Sequence, residues 1–149
     1  MSFKDFKEKG LIEENPANFK QIATLQVRAM KDITTAETIF GTDPEWAYTI
    51  AFQAMLRAAK ALILSEGYRP KGREQQRTVV QLTGVMLGKG LKTLAIKFDR
   101  IRRKGQWFIE DIEKPISKYE VEGAMKDAKE FIEKVIEIAR ERNPQLSLL

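Results

Sequence analysis

"PEWAYTIAFQAMLRAAKALILSEG", residues Pro44 to Gly67, is the stretch that decides the fold. From Trp46 to Leu64 it is apolar except at Thr49, Gln53, Arg57 and Lys60, and the 4, 4, 3 spacing of these four sets them on one narrow ridge of a helix. A helix that is apolar on its other sides has to be surrounded, which predicts the centre of a helical bundle. The four polar positions make the stretch too polar for a membrane-spanning helix, so no membrane is expected. Thr42 or Asp43 supplies the cap and Glu45 suits the first turn, while Gly67 is a left-handed stop. Arg69-Pro70-Lys71-Gly72 then reads as a loop.

Working outward, the preceding helix is predicted to start at Asn15 as cap with Pro16 in its first position. Its apolar stripe is Phe19, Ile22, Ala23, Ala29, Met30, Ile33, Ala36 and Phe40, and Gly41 ends it. Downstream, a short helix from Glu74 to Leu87 buries Val79, Leu82, Val85 and Met86 and ends near Gly88 and Gly90. A longer one follows from Leu91 to Glu113, with Leu91, Leu94, Phe98, Ile101, Gly105, Phe108 and Ile112 three and four apart. Gly105 therefore falls on the buried face, where it costs about 1 kcal/mol relative to alanine and permits a kink. Pro115 stops this helix, and Ser117-Lys118-Tyr119-Glu120 is a capping box for the last one. That helix carries the stripe Val121, Ala124, Met125, Ala128, Phe131, Ile132, Val135, Ile138 and Ala139. Met1 to Glu14, with scattered Phe3, Phe6, Leu11 and Ile12, reads as loosely held, and so does the tail from Pro144 to Leu149. No strand-like alternation competes. The expectation is one all-α domain over residues 1–149, an up-and-down antiparallel bundle of four to five helices.

A chain of 149 residues with 43% apolar content closes one core. It has no cysteine and no apolar N-terminal run, which predicts a cytoplasmic protein. It also has no histidine. Ser-His-Asp and Cys-His catalysis and the usual zinc sites are thereby excluded, and neither a P-loop nor a dinucleotide fingerprint is present. Carboxylate pairs such as Asp127 with Glu130 and Glu133 with Glu137 are interleaved with Lys126, Lys129 and Lys134. They read as a solvated salt-bridge face, so no metal, no cofactor and no catalytic residue is expected.

Charge is where the sequence points to a function. The net +5 conceals a segment from Gly67 to Lys104 in which eleven basic residues meet only Glu74 and Asp99. Such asymmetry predicts an anionic partner, with nucleic acid or nucleotide phosphate first. One cluster is the loop bearing Arg69, Lys71, Arg73 and Arg77. The other lies opposite the apolar stripe of the fourth long helix, where Arg100, Arg103, Trp107 and Glu110 are spaced 3, 4 and 3 with Arg102 and Lys104 alongside. Arginine there can hold phosphate bidentately, and an indole can stack on a base or fill a subunit interface. The two clusters form one site only if the fold brings the loop beside Arg100 and Arg103.

The segment "WAYTIAFQAMLRAAKALILSEGYRPKG", followed by "QQRTVV" and "KFDRIRRKGQWFIED", resembles the HEPN domains, helical bundles often encoded beside a minimal nucleotidyltransferase. The resemblance spans about Asn18 to Arg142. It implies a bundle of four or five helices, a homodimer, a nucleotidyltransferase partner and, in many members, metal-independent RNA cleavage of the kind found in toxin–antitoxin pairs. That cleavage uses an arginine, a polar residue and a histidine a few positions on. Here Arg102 or Arg103 stands for the arginine, but Ile109 or Glu110 falls where the histidine would be. Gly105-Gln106 replaces the Arg-Asn of many non-toxin relatives, and Gln76 stands where relatives carry histidine. The resemblance with these departures implies a module that binds RNA, nucleotide or the transferase without cleaving. The rival expectations are a structural homodimer with no nucleic-acid role, and a histidine-independent ribonuclease with Glu110 as acid or base.

Overall fold

The computed structural model describes residues 1–110 and 116–149, and for residues 107–110 the backbone alone. Pro44–Ser65 forms the central helix, which takes the label α3 in chain order. Asp43 is its cap, accepting the Trp46 N–H at 3.0 Å, and the chain leaves it through Gly67 at φ 87°. Ala51, Ala54, Met55, Ala58, Leu62 and Ile63 are buried, whereas Gln53 and Lys60 on the polar ridge are exposed. Trp46, in the first turn, is 58% exposed and stands outside the core. By length and composition α3 would in fact suffice to cross a membrane, but 67% of its apolar window is buried inside the protein. Its apolarity is used to centre the bundle.

Around it pack α2 (Phe19–Ile39), α4 (Gln75–Leu87), α5 (Lys92–Glu110) and α6 (Lys118–Arg142), confirming the all-α bundle. The start of α2 differs from expectation. Asn18 caps it, accepting the Gln21 N–H at 3.0 Å, whereas the Asn15 N–H donates to the Gly67 carbonyl at 2.8 Å and keeps that stretch extended. Within the α2 stripe the buried Asp32 receives Arg28 at 3.0 Å and Arg57 of the α3 ridge, so a ridge that reads as solvated also clamps two helices. On α4, Val85 is 39% exposed and Thr78, Val80 and Thr83 are buried instead. A short 3-10 turn, Lys89–Leu91, precedes α5, which buries Leu94, Phe98, Ile101 and Gly105. The expected positions Phe108 and Ile112 and the stop at Pro115 lie outside the described side chains. Ser117 caps α6, accepting the Glu120 N–H at 3.1 Å, and every residue of its expected stripe is buried.

The two ends correct the sequence reading. Residues 1–14 are built into the fold: α1 (Phe3–Glu8) is capped by Ser2 and Asp5 reciprocally, and β1 (Ile12–Glu14) pairs antiparallel with β2 (Tyr68–Pro70), Glu13 opposite Arg69. Phe6 and Ile12 are each 1% exposed. Three-residue strands are too short to show alternation, and the chain expected as the loop Arg69–Gly72 begins as one of them. The tail forms a 3-10 turn, Pro144–Leu148, that buries Leu146.

Candidate functional site

After Leu87 the chain changes direction by 115°, so that α5 folds back beside α4. The polar start of α4 and the middle of α5 thereby enclose two adjoining grooves. One is lined by Arg73, Gln76, Arg77, Arg102 and Gln106. The other, of about 720 Å³, has Val80, Gly84, Ala95 and Ile96 in its wall, with Arg77, Lys92, Arg100, Arg102, Arg103 and Lys104 around them. Arg77 and Arg102 line both. The loop end and the helix face that the sequence left separate thus converge.

The cations differ in how free they are. Asp99 takes Arg102 through Nε at 3.1 Å and Nη2 at 2.9 Å, and Arg103 at 2.7 Å. These are three and four residues along one helix face, so a single carboxylate orients two guanidiniums. Arg102 is 13% exposed and is largely spent on that contact, whereas Arg103 remains 66% exposed. Arg77 meets Glu74 at 3.6 Å but stays open to solvent. Arg73, Lys92 and Arg100 form no ion pair among the described residues. Lys104, at the edge of the groove, bonds Glu120 of α6 at 3.0 Å, which holds that carboxyl below its ordinary range.

Arg69 and Lys71 line neither groove. Arg69 bonds Glu13 across the ribbon, Nε to Oε1 at 2.5 Å, and Lys71 reaches the same carboxylate at 3.8 Å. Both are drawn to the one carboxylate of a strand that the sequence reading missed. The side chains of Trp107 and Glu110 lie outside the described residues. Lys92 lines the groove although it belongs to neither cluster read from the sequence.

No family model, curated protein or solved structure matches this chain.

Chemically the groove offers guanidinium and ammonium donors over an apolar floor. Among the described residues no three acidic side chains approach one another as metal ligands would. Tyr48 is a buried phenol whose pKa is raised by desolvation and by nearby Glu120. Its hydroxyl donates to the Ile101 carbonyl of α5 at 2.5 Å, a bond that fixes α5 against α3. Tyr48 therefore positions the helix bearing the arginines rather than contributing acid–base chemistry.

Proposed function

We propose that this chain is a HEPN-like bundle that binds single-stranded RNA through its phosphates in the α4/α5 groove, without cleaving it. The observation that carries the reading is the convergence of Arg73, Arg77, Arg100, Arg103 and Lys92 on adjoining grooves with Glu74 and Asp99 as the two carboxylates in their lining. Arginine suits phosphate because its planar fork donates two parallel hydrogen bonds, and a row of such groups tracks a backbone rather than a single anion. The apolar wall at Val80, Ala95 and Ile96 gives ribose and base faces a surface from which water is displaced. Binding without cleavage agrees with the composition: no histidine is available to move a proton to or from the 2′-hydroxyl.

The test is fluorescence anisotropy with a labelled hexauridylate at low salt. Arg73→Ala, Arg77→Ala and Arg103→Ala should each weaken binding about five- to tenfold. Arg69→Ala and Lys71→Ala, outside both grooves and paired with Glu13, should change it less than about twofold. Equal losses in both sets would place the interaction elsewhere.

A further inference from the structure

On the far side of Arg100 and Lys104 lies a second cavity, of about 700 Å³, between α5 and the first turns of α6. Arg100 and Lys104 line both this cavity and the basic groove, so the two share one ridge. Its walls are opposite in character. The α5 wall carries Arg100 and Lys104; the α6 wall carries Tyr119 with Glu120, Glu122, Asp127 and Lys126, three carboxylates to one ammonium. One bridge already crosses it, Lys104 to Glu120 at 3.0 Å, and Asp127 is held by Lys97, which is not part of the lining, at 3.2 Å. Arg100 on one wall and Glu122 on the other have no ion-pair partner among the described residues. Tyr119 is 86% exposed, an unusual state for a large aromatic, and a side chain added at Gly123, one turn further on, would meet nothing within 4 Å.

We infer that this cavity receives a guanine base of the bound RNA: Arg100 holds its phosphate, Tyr119 stacks on the ring over the gap at Gly123, and Glu122 accepts hydrogen bonds from its edge. A nucleotide is itself dipolar, anionic at the phosphate and rich in donors at one base edge, and the cavity has the matching polarity. Guanine is singled out by the carboxylate. Its N1–H and N2–H₂ are adjacent donors that two carboxylate oxygens accept together. Adenine and cytosine place a ring acceptor beside their amino group, and uracil flanks its single N–H with two carbonyls. Each of these puts a lone pair against Glu122. Stacking on an exposed aromatic accounts for the base being held out of solvent at all.

This inference rests on the RNA-binding reading, and one titration series separates the two. Labelled RNA hexamers of uridine carrying a single central guanosine or a single central adenosine are titrated with the full chain by anisotropy, and guanosine monophosphate is added as competitor. The guanosine hexamer should bind about fivefold more tightly than the adenosine one. Glu122→Gln and Tyr119→Ala should each remove that preference while the salt dependence stays as in the unmodified chain. Gly123→Leu, a good helix former that fills the gap, should do the same with unchanged helicity by circular dichroism. Guanosine monophosphate displacing the hexamer only at far higher concentration identifies RNA as the source of the base; displacement at equal concentration identifies free guanine nucleotide. Salt-dependent binding that ignores the central base, or a preference that survives these variants, overturns the guanine cavity and leaves the groove reading intact. Absence of binding to either hexamer at low salt overturns both.

Discussion

Gly105→Ala sets two opposed energies against each other at a place where the structure decides the sign. In the interior of α5, alanine should gain about 1 kcal/mol over glycine by helix propensity. A Cβ at Gly105, however, would lie 3.2 Å from Cε1 of Tyr48. That ring is 1% exposed and tethered through its hydroxyl to the Ile101 carbonyl, one turn before Gly105 on the same helix. It has little room to retreat, and overpacking of this kind costs about 1–3 kcal/mol. The net expectation is a loss of about 1 kcal/mol, or a fall in Tm of about 2–4 °C for a chain of this size. Gly123→Ala is the control, since its Cβ meets nothing within 4 Å, and should raise Tm by a similar amount. Thermal unfolding followed by circular dichroism reads both. A Tm that rises equally in the two variants would refute the close approach of Tyr48 to α5, and with it the account of how α5 is held in place.

Phe6→Ala should cost about 3 kcal/mol in urea unfolding, because a 1%-exposed ring is removed from the core; a cost near zero would restore the loosely held N-terminus. Glu120 is ionised more readily in the folded chain than when free, chiefly through its bond to Lys104, so its contribution is complete above its ordinary pKa and fades as the pH falls through the depressed folded value. The drop in Tm between about pH 6 and about pH 3 should therefore be smaller in Glu120→Gln than in the unmodified chain. An equal drop would mean that the Lys104–Glu120 bridge does not act in solution.

The bundle was legible because helix periodicity is written in long stretches. The α6 stripe repeats over about five turns and the α3 ridge over about three, and Asp43, Gly67 and Ser117 mark helix ends with local chemistry that needs no tertiary context. What was not legible depends on partners distant in sequence. Glu13 pairs with Arg69 only because two three-residue strands meet, and that contact removes half of an expected cluster. Asp32 looks like a polar interruption of a stripe until Arg57 arrives from another helix. The convergence of Arg73 and Arg77 with Arg102 depends on a 115° change of direction for which glycines gave the place but not the angle. By contrast, the clamp of Asp99 on Arg102 and Arg103 is a spacing of three and four on one helix, and could have been read from the chain.

The measurement that bears most directly on the groove is the slope of log affinity against log salt for a single-stranded RNA. If Arg73, Arg77, Arg100 and Arg103 each neutralise one phosphate, the slope is about −3, and affinity falls about fiftyfold between 50 and 200 mM salt. Replacing Arg100 and Arg103 by alanine should bring it to about −1.4. A slope near zero, or one that those two substitutions leave unchanged, would contradict the account.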